Sequence, residues 1–108
     1  MADYIVFATI SPEFRSLFGS AAREAQAGKT YTLPPDMASS RQKHYDYLNR
    51  LKREGKLYCA GPFSDLSAAV LIFKDTTKAG ARRLIQGDPY WTDGHFTALD
   101  IREWAQRF

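Results

Sequence analysis

The sequence predicts a single α+β domain over residues 1–108, and three observations carry that prediction. Short β-branched and aromatic runs at 4–10, 57–60, 68–73 and 96–104 read as strands. The longer stretches between them repeat apolar residues at helical spacing. At 108 residues the chain has room for one core, and two would leave both halves too small to stabilise themselves.

Each element has its own signal. Residues 4–10, Tyr-Ile-Val-Phe-Ala-Thr-Ile, are apolar at odd and even positions, so both faces of this strand are expected to be covered. Ser11-Pro12-Glu13 is a helix start: a hydroxyl cap, a proline in the first turn, then an acid. Phe14, Leu17, Phe18, Ala21 and Ala25 form the stripe of that helix, and Gly28 ends it. Residues 29–38 read as a loop, because Pro34-Pro35 opposes helix. Ser39 and Gln42 make a capping box that starts the next helix, which runs to about Glu54 and stops at Gly55. The second strand, 57–60, is closed by Gly61-Pro62, and the short Phe63-Ser64-Asp65-Leu66-Ser67 connection to the third predicts a hairpin. Asp75 or Thr76 caps a helix through Gln86, broken by Gly87 and Pro89, before the last strand at 96–104.

The order strand, helices, strand, strand, helix, strand is the ferredoxin-like βαββαβ plan, with an extra helical insert at about 11–38 after the first strand. Both helices of such a unit lie on one face of an antiparallel sheet. The first and third strands, central in this topology, carry apolar residues on both faces, so something must cover the second. A second copy, sheet against sheet, is the expected cover, which makes the protein a homodimer. The other solution is for the insert helix to fold over the bare face.

Composition narrows the function. The net charge is +3 with a pI near 9.1, yet the basic residues spread along the chain among acids, so nucleic acid is not the expected partner. The third-strand run Ala68-Ala69-Val70-Leu71-Ile72 offers no stacking platform for RNA. No apolar run approaches the roughly 20 residues of a membrane span. Met1-Ala2-Asp3-Tyr4 lacks a secretory start, so the expected location is the cytoplasm. Cys59 is the lone cysteine, which excludes an internal disulfide, and it reads as a small core residue in mid-strand. His44, His95 and Cys59 lack metal-ligand spacing, and Ala60-Gly61-Pro62 is no phosphate loop, so no cofactor is expected. Tyr90-Trp91 suits a cavity wall, a dimer anchor or core packing, the last being the expectation.

Two polar residues stand out. His44 lies four residues before Leu48 and seven before Leu51, on the centre of the buried stripe of its helix. Asp88 continues the Ala81, Leu84, Ile85 row of the later helix, held at a corner between Gly87 and Pro89. Burying either group alone is costly, and pairing them satisfies both. A His44–Asp88 pair would orient the imidazole for general acid–base work. The alternatives are a core histidine with satisfied bonds and an aspartate that only caps the corner.

The runs Arg41-Gln42-Lys43-His44-Tyr45-Asp46-Tyr47-Leu48, Gly55-Lys56-Leu57, Ala60-Gly61-Pro62-Phe63, Asp88-Pro89-Tyr90 and Ile101-Arg102-Glu103-Trp104 resemble the YCII-related (YciI-like) family in order and spacing. The resemblance covers about residues 41–104, and residues 11–40 are longer than the usual connection after the first strand in that family. It implies a ferredoxin-like subunit of a dimeric α+β barrel and an active-site pair that maps onto His44 and Asp88. Family activities include dehydrochlorination of a chlorinated hydroxyquinol, and many members have no assigned reaction.

Arg41, one turn before His44, is a candidate for holding an anionic or phenolate oxygen, or else a solvated helix-start arginine. Asp65 is a second candidate acid, with turn chemistry as its other explanation. Tyr31 and Leu33, on the insert loop, are candidates for closing over a pocket or for satellite packing. The expected function is a cofactor-independent enzyme moving a proton in the elimination, dehydrochlorination or isomerisation of an oxygenated small molecule, aromatic rings included. The alternatives are a non-catalytic small-molecule binding or accessory protein and a metal-free oxygenase of the related barrel type.

Overall fold

Strand β1 (Ala2–Ile10) leads into helix α1 (Pro12–Gln26) and helix α2 (Pro35–Arg53), followed by the hairpin β2 (Leu57–Pro62) and β3 (Ala68–Thr76). Helix α3 (Lys78–Gln86), the single turn α4 (Pro89–Thr92) and strand β4 (Phe96–Trp104) complete the order in this computed structural model, which describes residues 1–28 and 33–108, with the backbone alone at 21–26. The four strands form one antiparallel sheet in the order β2-β3-β1-β4, so β1 and β3 are central, as the ferredoxin-like plan requires.

Register decides which residues share a face. Val6 pairs with Leu71 on one side and Ile101 on the other, and all three are buried. They point to the helix side with Ala8, Ile10 and Phe73, where Leu51 of α2 and Ala81 and Ile85 of α3 meet them. Each large side chain in this layer contributes about 1.5–3 kcal/mol by leaving water. The opposite face carries Ile5 and Phe7 beside Ile72 and Val70, with the Asp3–Lys74 ion pair at one end. Helix α1 does not cover it. Phe14 of α1 packs on Tyr90, and Phe18 meets the Arg41 guanidinium of α2, so α1 stands on the helix side.

Local chemistry shifts several boundaries. Helix α2 begins at Pro35 rather than Ser39. Pro34 is its N-cap, Pro35 occupies the first turn where no N–H is needed, and Asp36 supplies the early acid. The Ser39–Gln42 capping box is therefore inside the helix, Ser40 is buried, and the Gln42 amide donates to Asp46 instead. Thr77, not Asp75 or Thr76, caps α3: its hydroxyl accepts the Gly80 N–H at 3.0 Å. The turn α4 was not expected, and Pro89 again sits at its start. Cys59 is exposed rather than core, because β2 is an edge strand and Cys59 pairs with Ile72 on the uncovered face. Ala21 and Ala25 of the expected α1 stripe, and Tyr31, fall outside the described side chains. Among the described residues no helix is long and apolar enough to cross a membrane.

Candidate active site

Helix α2 carries His44 inward on the Leu48–Leu51 side, where it is 8% exposed. Asp88 sits where α3 ends at its C-cap Gly87 and α4 begins with Pro89, in extended conformation (φ −71°, ψ 131°), and it is fully buried. The two meet across the helix layer. His44 Nδ1 lies 2.7 Å from Asp88 Oδ1 and 2.9 Å from Oδ2. Oδ1 also accepts the Tyr90 backbone N–H at 2.9 Å. A carboxylate removed from water is tolerated only with such donors around it. Since a carboxylate accepts, Nδ1 carries the proton, and Nε2 is the ring nitrogen turned away from Asp88.

Aromatic rings fix the imidazole further. Tyr90 stacks on it with centroids 3.7 Å apart and planes 6° apart, and Phe96 meets it edge-on at 6.2 Å. Tyr47, one turn further along α2, donates its hydroxyl to the Leu84 carbonyl at 2.6 Å. Burial pushes the Tyr47 phenol up, and the Asp88 charge adds to that, so it remains a donor.

His44 borders a cavity of about 310 Å³ between the helices and the β2 end of the sheet. Its wall is mostly carbon: Phe14 and Phe18 of α1, Tyr45 and Leu48 of α2, Ala60 of β2 and Leu66 of the hairpin turn. The floor uses the helix-side residues Ile10, Ala69 and Leu71, where small β2 side chains leave the sheet open.

The other residues singled out in the sequence have different surroundings. Arg41 is not among the residues that line the cavity; its Nε donates to the hydroxyl of Tyr45 at 3.0 Å and its guanidinium lies 5.3 Å from the ring centroid of Phe18, two residues that do line it. Asp65 is exposed and serves the hairpin turn: Oδ1 accepts the Ser67 N–H at 2.9 Å and the Ser67 hydroxyl at 2.6 Å. The Ser67 hydroxyl and backbone N–H hold the Asp65 carboxyl below its usual range. Asp88, not Asp65, is the acid beside His44. Leu33 is buried in the core.

The sequence marks Phe14 and Phe18 only as a packing stripe, and Tyr90 as core packing with a cavity wall among its alternatives; all three line the cavity. Asp88-Pro89-Tyr90 holds a usable signal, since a proline-started turn brings the third N–H back to the first carboxylate. His95 stands behind the site, 4.3 Å from the Phe14 ring, and burial pushes its imidazole below the usual range. Among the described residues no three His, Cys, Asp or Glu side chains gather in metal-binding fashion.

YjpA, an uncharacterized protein of Bacillus subtilis (strain 168), is 33% identical over 61 residues, which is 56% of this chain and 71% of YjpA. Among solved structures, the 5-chloro-2-hydroxyhydroquinone dehydrochlorinase TftG from Burkholderia phenoliruptrix AC1100, in complex with 2,5-dihydroxybenzoquinone, has the same fold, with a TM-score of 0.60 at 18% identity over 97% of this chain and 95% of TftG. The model of the YCII-related domain matches residues 20–105, four-fifths of the sequence. The chain belongs to the YCII-related domain family.

Proposed function

We propose that the cavity beside His44 is the active site of a small-molecule enzyme of the lyase or isomerase kind. The observation that carries this reading is a histidine whose Nδ1 is committed to a fully buried carboxylate while its ring borders a carbon-walled cavity. A core histidine with satisfied bonds has no need of adjacent space. In this reading Nε2 takes a proton from the substrate, the freed electron pair forms the new double bond, and a leaving group departs with its own pair; Asp88 holds the imidazole through the transfer. Isomerisation returns the proton from Nε2 to a different carbon.

The cavity suits one substituted ring. About 150 Å³ of apolar space accommodates benzene, and about 300 Å³ is the lower end of ligand pockets. Arg41, in contact with the lining residues Tyr45 and Phe18, is the candidate cation for a phenolate or other oxygen anion, and Tyr31 is a further candidate contact. TftG, a dehydrochlorinase with a dihydroxybenzoquinone bound, supports this substrate class through shared fold. The test is chloride release from 5-chloro-2-hydroxyhydroquinone, with hydrogen–deuterium exchange at ring carbons of chlorine-free hydroquinols as the isomerase arm. Activity that falls at least about 100-fold in His44→Ala, with binding nearly kept, supports the acid–base role. Turnover unchanged in that variant overturns it.

The assembly we propose is a homodimer built sheet against sheet. The half-buried outer-face residues Ile5, Phe7 and Val70, with the buried Ile72 beside them, form an apolar strip that neither α1 nor any other described helix covers.

A further inference from the structure

We infer that Leu66 is the residue that limits the size of the molecule the His44 cavity admits. This rests on the reading of that cavity as a ligand site. Leu66 lies in the β2–β3 turn with φ 61°, in the left-handed region that glycine enters freely and a leucine enters at a cost. Strain of this kind persists where the surroundings over-determine it. They do here on every side. The Leu66 N–H donates to the Phe63 carbonyl at 2.9 Å, and Ser67 accepts the Ile10 N–H at 3.0 Å. Arg15 of α1 reaches across and donates Nε to the Asp65 carbonyl at 2.9 Å.

The turn therefore has its conformation set by backbone and by Asp65, Ser67 and Arg15, and nothing in it requires a leucine side chain. Glycine would close the same hairpin without strain. What the side chain does reach is the cavity, whose wall it shares with Phe14 and Phe18. The Arg15 bond links α1 to the turn, so Leu66 stands across the cavity from the two phenylalanines of the helix it is tied to.

The experiment compares hydroquinone with 2,6-dihydroxynaphthalene by isothermal titration calorimetry, in the wild type, Leu66→Gly and Leu66→Ala. Histidine-selective NMR of His44 reports where each compound binds. The wild type is expected to prefer the one-ring compound by about tenfold or more, and both variants to lose or reverse that preference. Leu66→Gly is expected to melt no lower than Leu66→Ala, since only glycine relieves the backbone. A compound that shifts the His44 resonances but keeps the wild-type preference in both variants overturns the role of Leu66 and leaves the site reading intact. Neither compound binding to the wild type overturns both.

Discussion

The Tyr90 ring lies flat on the His44 imidazole, 3.7 Å between centroids, while the carboxylate two residues before Tyr90 holds that imidazole by its edge. One corner of the chain thus fixes both the axis and the plane of the ring. Tyr90→Leu keeps an apolar group in the site but removes the flat face. In wild-type protein the carbon-bound protons of His44 are expected upfield, shielded by the Tyr90 ring current. In Tyr90→Leu they move downfield and broaden as the ring gains freedom, while the Nδ1 bond to Asp88 remains. Unchanged His44 proton shifts would show that the stack does not exist in solution.

His44 and Asp88 are coupled by burial. His44→Leu leaves a carboxylate with no exposure and one side-chain partner fewer, a loss of about 3–5 kcal/mol. Adding Asp88→Asn removes the charge but keeps an oxygen for the Tyr90 N–H, so the double variant recovers a large part of that loss. Urea denaturation of the wild type, both single variants and the double variant measures the coupling. Additive losses would mean that the pair does not interact energetically.

The outer sheet face predicts assembly. Light scattering during gel filtration at tens of micromolar is expected to give twice the 12.3 kDa chain mass. Val70 pairs with Phe7 in the centre of the patch, so Val70→Lys places a charge where two sheets would meet and shifts the mass to that of one chain. A wild-type species at 12.3 kDa rules out the dimer.

Periodicity made the sheet readable. The apolar strands at β1 and β3, the glycine stop at Gly55 and the hairpin between β2 and β3 each follow from a local rule. His44 and Asp88 were visible for a related reason: each is a polar residue in a row that otherwise packs. Where two local rules competed, the choice was set by tertiary structure. Pro34-Pro35 opposes a helix interior, which gave the loop reading, yet a proline also fits the first turn of a helix, and Ser39 looks like a cap until Met37 and Ser40 are found buried. The cavity had no local signal at all. It exists because α1, α2 and β2 approach without filling the space over Ala60, a relation among distant segments.

Gly87 tests the corner from the other side. Its φ of −81° suits alanine, and by backbone preference alone the replacement would help α3. A β-carbon there would stand 2.7 Å from the Tyr47 hydroxyl oxygen and 3.3 Å from the carbon bearing it. The ring must move, and its bond to the Leu84 carbonyl goes with it. Gly87→Ala is expected to cost about 1–3 kcal/mol by urea denaturation. In a Tyr47→Phe background the obstructing oxygen is gone, and the same change costs less. Equal costs in both backgrounds would place the strain elsewhere.

His95 gives the chain a pH dependence with a definite sign. Burial lowers its pKa from the ordinary 6.5, and the His44 charge adds a smaller push the same way; the nearby acids Asp93, Asp36 and Glu13 act against both. In the window below 6.5 the unfolded chain therefore binds more protons at this position than the folded chain. The stability that comes from packing a neutral His95 on Phe14 is complete above about 6.5, and it is lost as pH falls through the folded value. Asp3, Glu54 and Asp65, whose carboxyls are also lowered, titrate from ordinary values of 3.8, 4.5 and 3.8, so they act in more acidic solution. His95→Phe keeps a ring against Phe14 and removes the titration. The drop in melting temperature between about pH 7.5 and pH 5.5 is expected to be smaller in His95→Phe than in the wild type. Equal slopes would mean that the His95 ring is protonated as easily folded as unfolded.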